Sequence, residues 1–397
     1  MKMDMKTKTL KILGTLWCSL WMLSGIAAPP AAEIVEQIRK ELAPDRRVVV
    51  YEVVADPVND TLCLLRGKCD RAEIIDSLEK ALQQQNIPFV NYINLLPDRS
   101  IGNHTEALVT LSSVNLRLNP AHAAEMVSQA LMGTPLRVLE QYEDWYHVQS
   151  PEGYLSWIDA SAVVLKTKKE MDRWRDAQRY IFTDYSGFVY AEPDKASAHI
   201  SDLVLGSILE LDPDQKSNRK FVAVQLPDGR KGYVCNDQIR EFSDWADDPL
   251  DPEQLEKTAR SMMGVPYLWG GTSVKGVDCS GMVKTAYWNS GIILIRDASQ
   301  QALTGERFNG EEWETCQKGD LLFFGNVATG RITHVGMYLD NGRFIHSSGK
   351  VRVNSLDPDA EDFVGYPCLS ISRIKNRIGT PGITRVSEHP WYFNRKL

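Results

Sequence analysis

One stretch decides how the chain is interpreted: Val277-Asp278-Cys279-Ser280-Gly281-Met282-Val283. It leads into a helical pattern that continues to residue 289, so Cys279 stands in the first turn of a predicted helix. The free N–H groups and the positive dipole end of a helix start favour thiolate, the nucleophilic form of cysteine. A single cysteine among apolar residues is, however, more often a small buried side chain. The residues downstream must decide between the two interpretations.

Three β-type runs follow this helix, at 319–324, 332–338 and 343–348. Asn341-Gly342, between the last two runs, is a strong signal for a tight hairpin turn. These two runs carry His334 and His346, and side chains on neighbouring paired strands can lie side by side on one face of a sheet. A helix packed on that face would bring Cys279 to His334. The pattern predicts an α+β unit over 250–397 with a Cys-His pair at its centre.

Five ordered motifs give this unit a specific resemblance: Pro266-Tyr267-x-Trp269-Gly270-Gly271, Asp278-Cys279-Ser280-Gly281, Gly319-Asp320-Leu321, His334-Val335-Gly336-Met337-Tyr338 and His346-Ser347. In order and spacing they resemble the NlpC/P60 cell-wall peptidases. The resemblance implies a papain-like core in which Cys279 attacks the scissile carbonyl, His334 accepts and returns the proton, and His346 orients His334. The backbone N–H of Cys279 and the hydroxyl of Tyr267 are the expected oxyanion donors.

No metal or other cofactor is expected. Ligand type alone would allow a zinc site made of the cysteine and the two histidines. An aspartate before the cysteine and Ser-Gly after it fit a nucleophile at a helix start better.

Two stretches upstream show period-two alternation in short runs separated by turn residues, which is typical of small antiparallel β-barrels. The first, 104–166, resembles a bacterial SH3 domain, with Val-Asn-Leu-Arg at 114–117 and Gly-Tyr-x-x-Trp at 153–157 as its marks. The second, 167–243, carries an Asp-Gly hairpin signal at 228–229. We therefore expect two small barrels in tandem before the catalytic unit.

The combination of two SH3-like barrels with this catalytic unit is similar to the γ-D-glutamyl-L-diamino acid endopeptidases, the dipeptidyl-peptidase VI type. That resemblance implies that the first barrel closes one end of the cleft and selects peptides with a free N-terminal L-Ala amine. An ammonium group requires an acid nearby, and Glu125, Tyr154 and Asp278 are the candidates. A solvated Glu125 and a Tyr154 in the barrel core are the competing interpretations.

Three further residues complete the candidate substrate-binding set. Trp269 and Ser280 belong to the motifs around the nucleophile. Arg296 lies in a segment that resembles the family's Arg-rich segment, where some relatives bind a D-glutamyl carboxylate. Ala298 stands where those relatives have serine, so a structural ion pair of Arg296 is equally open.

The N-terminus is rich in lysine, and an apolar run follows at 12–28. A run this short, ending in small residues, is typical of a secretory signal peptide rather than of a membrane anchor. We expect 1–27 to be removed and the protein to be exported to the periplasm or the extracellular space, without stable membrane insertion.

The segment 33–103 is expected to be a small α/β module without chemistry of its own. Within it, Cys63 and Cys69 flank a short stretch expected to be a loop, and a disulfide and two free thiols are equally open.

The formal net charge is −7 and no long basic run occurs, which argues against a nucleic-acid partner. A murein-derived peptide is the expected partner. Two other functions stay open: an endopeptidase acting on intact wall with the barrels as binding modules, and a non-catalytic wall-binding protein. The intact Cys279, His334 and His346 argue against the last. The choice between meso-diaminopimelate and lysine, and the oligomeric state, are not predicted.

Overall fold

The computed structural model describes residues 30–59 and 62–394. The predicted signal peptide, 1–27, lies outside these residues. Internal contacts divide the chain into two units, Met1–Asp98 and Arg99–Leu397, and each is described by itself. Among the described residues, no helix is both long enough and apolar enough to cross a membrane.

The first unit is a three-stranded sheet with two helices. Its elements are α1 (Pro30–Leu42), β1 (Tyr51–Pro57), β2 (Cys63–Cys69), α2 (Ala72–Gln84) and β3 (Phe89–Leu95). Strand β2 pairs antiparallel with β1 and parallel with β3. Apolar residues at helical spacing, such as Ile34, Ile38, Ile74 and Leu78, are buried and join the helices to the sheet. Strand β1 begins only at Tyr51, because the N–H groups of Val48 and Val49 turn back to the Asp45 carbonyl.

The stretch between Cys63 and Cys69 is a strand and not the expected loop. The two cysteines are the ends of β2, and six residues of extended chain separate their Cα atoms by about 20 Å. A disulfide requires a Cα separation of roughly 4.4–6.8 Å. Both thiols are free and buried, so the disulfide alternative is wrong.

Two seven-stranded antiparallel sheets open the second unit. The first consists of β4 (Glu106–Val109), β5 (Ser113–Arg117), β6 (Met126–Leu131), β7 (Pro135–Tyr142), β8 (Trp145–Gln149), β9 (Leu155–Asp159) and β10 (Val163–Lys166). The second follows helix α3 (Lys168–Asp176) and consists of β11 (Arg179–Phe182), β12 (Ser186–Tyr190), β13 (His199–Val204), β14 (Ile208–Leu211), β15 (Phe221–Gln225), β16 (Lys231–Cys235) and β17 (Ile239–Glu241). The spatial orders are β10-β4-β7-β8-β9-β5-β6 and, read from its other edge, β17-β11-β14-β15-β16-β12-β13. The two barrels therefore have the same topology.

The remaining segment is a mixed helix and sheet unit. Its helices are α4 (Phe242–Asp247), α5 (Pro252–Ser261), α6 (Cys279–Trp288) and α7 (Ala298–Gln301). Its strands are β18 (Thr272–Ser273), β19 (Gly276–Val277), β20 (Ile292–Leu294), β21 (Glu306–Asn309), β22 (Leu321–Asn326), β23 (Arg331–Tyr338), β24 (Arg343–Ser348), β25 (Lys350–Ser355), β26 (Cys368–Arg373) and β27 (Ile383–Arg385). Six of them form one sheet in the order β21-β26-β22-β23-β24-β25.

Helix α6 packs on this sheet and forms the largest apolar core with it. Met282, Val283 and Ala286 on the helix are buried together with Val335 and Ile345 on the strands. The β23–β24 hairpin turns at Asn341 and Gly342, both with positive φ, as the sequence predicted. This arrangement brings the start of α6 close to β23 and β24, the strands that carry the two histidines.

Candidate active site

Cys279 is the first residue of α6, as predicted, and is 7% exposed. Asp278 caps the helix, since its Oδ1 accepts a hydrogen bond from the N–H of Gly281 at 2.7 Å. Its Oδ2 accepts from the N–H of Gly270 at 3.0 Å, which ties the glycine-containing loop to the helix start. The Asp-Cys-Ser-Gly sequence thus holds the thiol at a rigid, well-capped helix end.

The expectation that this position favours thiolate is wrong for the free protein. Burial and, to a smaller extent, the negative charge of Asp278 raise the pKa of Cys279 to about 11. Backbone hydrogen bonds from Val335 and Ser280 favour the thiolate, but they only partly offset the loss of water. Cys279 is therefore a protonated thiol at neutral pH, and attack requires a base that removes its proton.

The two predicted histidines lie side by side on β23 and β24. Nε2 of His334 is 2.7 Å from Nδ1 of His346, and His346 is completely buried. Nε2 of His346 is 2.9 Å from Oδ1 of Asn354 on β25, and Nδ2 of Asn354 donates to the carbonyl of Asp362 at 2.7 Å. A continuous line of hydrogen bonds thus runs from His334 into the loop after β25.

Both imidazoles are neutral at neutral pH. Burial, the neighbouring His346 and the charge of Arg352 together lower the pKa of His334 to about 3, and Asp278 opposes the shift. Burial also lowers the pKa of His346, while the hydrogen bond to Asn354 opposes that shift. Arg352 stands opposite His346 in the β24–β25 register, which places both side chains on one face of the sheet.

The thiol and the base are neighbours through the backbone of β23. The Val335 N–H, directly after His334, lies close enough to the sulfur of Cys279 to lower the pKa of the thiol. Within the described part of the chain, no hydrogen bond of ordinary length joins that sulfur to the His334 imidazole. Such contacts are often long before substrate binds. Tyr267 lies close enough for the charges of Cys279 and Asp278 to act on it, and burial together with these charges raises the pKa of its hydroxyl, which therefore stays a donor.

Of the two interpretations of Arg296, the structure shows the ion pair. The guanidinium is 1% exposed, and its Nη2 lies 2.6 Å from Oδ2 of Asp278. Its Nη1 donates to the hydroxyl of Ser280 at 2.9 Å, and its Nε donates to the hydroxyl of Ser128 on the first barrel at 3.1 Å. Asp278, Ser280 and Arg296 form a buried network around the helix start, and contact of any of them with substrate stays a prediction.

The first barrel contacts the catalytic unit through Glu125 and Tyr154. Glu125 is exposed, and its Oε1 accepts a hydrogen bond from Nε1 of Trp269 at 2.8 Å. The hydroxyl of Tyr154, a buried residue, donates to Oδ2 of Asp297 at 3.2 Å. A side-chain carbon on Gly270 would lie 2.4 Å from the Met126 carbonyl oxygen, so only glycine allows this close approach of the barrel.

Two residues of this region belong to no motif that would reveal them in the sequence. Asp297 follows Arg296 directly, and only the structure shows its contact with Tyr154 of the first barrel. Asn354 is one of several polar residues in β25, and only strand pairing brings it next to His346. Among the described residues, no group of three or more His, Cys, Asp and Glu side chains is arranged to hold a metal ion.

Comparison with known families and proteins gives matches to the first barrel and to the mixed helix and sheet unit. Residues 264–363 match the NlpC/P60 family, and residues 116–163 match the bacterial dipeptidyl-peptidase Sh3 domain. Dipeptidyl-peptidase 6 of Lysinibacillus sphaericus is 34% identical over 63% of this chain and 92% of its own length. The gamma-D-glutamyl-L-lysine dipeptidyl-peptidase of Bacillus subtilis is 40% identical over 55% of this chain and 71% of its own length.

A solved structure shares the fold. The crystal structure of an NlpC/P60 family protein from Bacillus cereus superposes with a TM-score of 0.57 and 22% identity, covering 68% of this chain and 99% of that one. The expected α+β class, with a papain-like NlpC/P60 unit preceded by an SH3 domain, is confirmed.

Proposed function

Because the chain belongs to the NlpC/P60 family, we propose that it is a cysteine peptidase that hydrolyses the bond between γ-D-glutamate and a diamino acid in murein peptides. We propose further that it prefers peptides whose N-terminal L-Ala amine is free. The contact of the first barrel with the catalytic unit carries this second part. Glu125 accepts a hydrogen bond from Trp269, which lies in the motif at 266–271 before Cys279. Relatives named dipeptidyl-peptidase support it, because release of a dipeptide requires recognition of the chain end.

The proposed reaction begins from a neutral thiol and a neutral imidazole. As the sulfur of Cys279 bonds to the scissile carbonyl carbon, its proton passes to His334. The carbonyl oxygen becomes an oxyanion, for which the backbone N–H of Cys279 and the hydroxyl of Tyr267 are the proposed donors. When the C–N bond breaks, His334 returns the proton to the leaving amine of the diamino acid.

The second half of the reaction restores the thiol. Water gives one proton to His334 while its oxygen attacks the thioester carbon, and the S–C bond then breaks. The sulfur leaves with the proton from His334, and the dipeptide leaves with a γ-carboxylic acid group, which releases its proton to solvent as it becomes a carboxylate. His346 orients the base in both halves through the 2.7 Å contact with His334.

Specificity for a free amine follows from the chemistry of the barrel side. Glu125 offers one carboxylate, and Asp297, which accepts a hydrogen bond from Tyr154, offers a second. An ammonium group placed there gains charge-assisted hydrogen bonds, whereas an acylated nitrogen loses the charge and brings bulk against the barrel. The buried ion pair of Asp278 with Arg296 makes Asp278 the weaker candidate for this contact.

We also propose that the protein acts outside the cytoplasm, in the periplasm or the extracellular space. The lysine-rich start and the apolar run at 12–28 support this location. One relative is named for its action on a gamma-D-glutamyl-L-lysine bond. We expect the secreted form to be smaller than the full chain and to begin at residue 28. Gel mobility and N-terminal sequencing of the secreted form would test this.

The function is tested with one peptide in two forms. Purified protein is incubated with L-Ala-γ-D-Glu-L-Lys and with its N-acetylated form, and products are followed by mass. We expect the dipeptide L-Ala-D-Glu from the free peptide, and cleavage of the acetylated form at least about ten-fold more slowly. The same pair with meso-diaminopimelate determines the preferred diamino acid. Cleavage of intact sacculus as fast as of the free peptide would reject amine selection and favour a wall endopeptidase.

A further inference from the structure

Asn354 extends the predicted Cys-His-His set. His334, His346 and Asn354 form one hydrogen-bonded network. The three side chains are joined by contacts of 2.7 Å and 2.9 Å between ring nitrogens and the amide oxygen. His346 is 0% exposed and Asn354 is 8% exposed, so water does not compete for these bonds. Inside a protein, such bonds are electrostatically stronger than in water and fix the groups they join.

The orientation of the Asn354 amide follows from its other partner. The carbonyl of Asp362 is an acceptor only, so the amide nitrogen must face it, at 2.7 Å. The amide oxygen therefore faces His346. The carbonyl itself is held in place, because Arg343 binds the Asp362 carboxylate with two bonds of 3.1 Å and 2.7 Å.

The orientation of the amide determines where the protons of both rings lie. An amide oxygen accepts hydrogen bonds, so Nε2 of His346 must carry a hydrogen. A neutral imidazole has one hydrogen, so Nδ1 of His346 is an acceptor and receives the hydrogen on Nε2 of His334. The remaining nitrogen of His334, Nδ1, then has a free lone pair.

We propose that Asn354 is a positioning residue that sets the tautomers of both histidines and leaves Nδ1 of His334 as the base for the Cys279 thiol. This inference rests on the proposed function for its kinetic consequences, but the tautomers exist without substrate. An amide suits this role because it orients the network without adding a negative charge. A carboxylate at the same place would favour the imidazolium form and raise the pKa of the base.

Two substitutions separate positioning from packing. Asn354→Leu keeps the volume and removes the acceptor, so the two tautomers of each ring become nearly equivalent. We expect kcat on L-Ala-γ-D-Glu-L-Lys to fall about 100-fold or more while KM changes by less than about three-fold, as for the loss of an orienting group in other triads. Asn354→Asp keeps an acceptor, so we expect kcat within about ten-fold of wild type and an acid limb of the pH profile shifted upward by about one unit.

A matched control is Asn289→Asp. Asn289 is 9% exposed and caps the opposite end of α6, where its amide donates to Thr258 at 3.0 Å. This change disturbs a buried asparagine to a similar extent, so Tm should fall while the acid limb stays at its wild-type position.

Nitrogen NMR of the histidine rings tests the inference in the wild type, even if the leucine variant fails to fold. In the wild type we expect Nε2 of His334 to be protonated and its Nδ1 to be unprotonated. We expect the same pattern for His334 in the Asn354→Asp variant. A protonated Nδ1 on His334 overturns the proposal, as does an Asn354→Leu variant with wild-type kcat and pH profile. If the wild type cleaves no murein peptide, the proposed function fails, while the tautomer pattern still decides the role of Asn354.

Discussion

The two barrels have the same strand order but contact the catalytic unit in different places. The first contributes Glu125 and Tyr154, whose side chains bond to Trp269 and Asp297 at the cleft. The second contributes the hydroxyl of Tyr185, which donates to the Val274 carbonyl at 2.8 Å, in the loop before Cys279. Identical topology therefore says nothing about which barrel contacts substrate.

The contacts of the second barrel are those of a support. Its Gly206 carbonyl accepts from Nε1 of Trp288, at the last turn of α6, at 3.2 Å. Its Asp202 binds Lys275 at 2.7 Å and also the hydroxyl of Ser112 on the first barrel at 2.7 Å. These bonds hold the end of α6 and the loop before Cys279, so we expect the second barrel to support the geometry of the site.

The largest expected effect comes from the catalytic unit itself and tests whether either barrel has activity of its own. Cys279→Ala removes the nucleophile, and we expect kcat/KM on L-Ala-γ-D-Glu-L-Lys to fall by about four orders of magnitude or more. Cys235→Ala, at a buried cysteine of the second barrel, is the matched control and should retain wild-type kcat/KM. Residual activity of Cys279→Ala above about one per cent would mean that the thiol mechanism is wrong.

The next effect separates the barrels directly. Glu125→Gln removes the carboxylate charge at the cleft, so kcat/KM for the free-amine peptide should fall about ten-fold while cleavage of the acetylated peptide is unchanged. We expect a loss at the lower end of the range for charge-assisted hydrogen bonds, because Glu125 is exposed to water. Glu192→Gln is the matched control, since Glu192 is exposed and lies in the corresponding β12–β13 loop of the second barrel.

Equal losses in the two glutamine variants would show that the barrels do not differ in the way proposed. Equal losses on the free and the acetylated peptide in Glu125→Gln would place the role of Glu125 in folding and not in amine recognition.

Local sequence predicted those parts of the molecule that local chemistry determines. The helix start at Cys279, the Asn341-Gly342 turn and the two runs of alternating strands depend on neighbours in sequence, and the structure has all three. The contacts of Asn354 and Asp297 depend on strand pairing and on the barrel, which no local pattern contains.

Two local signals fail for physical reasons of the same kind. Residues 244–252 are acidic and contain two prolines, which is typical of a linker, yet α4 extends into this range as far as Asp247. Its Phe242 and Trp245 are buried against Tyr392, from the far end of the chain. The thiolate expected at Cys279 considered the helix dipole alone, whereas burial and Asp278 dominate the pKa. In both places, distant or bulk effects outweigh a local signal.

The smallest expected effect concerns the pH dependence of kcat/KM. It would show that the loss of activity at low pH comes from residues of the catalytic sheet and not from either barrel. Burial, then His346, then Arg352 lower the pKa of His334 to about 3, so the neutral base exists at every pH above that value and the wild-type acid limb should lie well below pH 6.5. Removing a positive charge stabilises the imidazolium form, so Arg352→Gln should raise the pKa of His334 and move the acid limb of kcat/KM upward by about one unit or less. Arg352→Lys keeps the charge and should leave the limb where it is. Profiles of kcat/KM between pH 3 and 8 on L-Ala-γ-D-Glu-L-Lys measure this shift. An acid limb near pH 6.5 in the wild type would show that burial does not govern the base, and equal limbs in the Gln and Lys variants would show that the charge of Arg352 does not act on it.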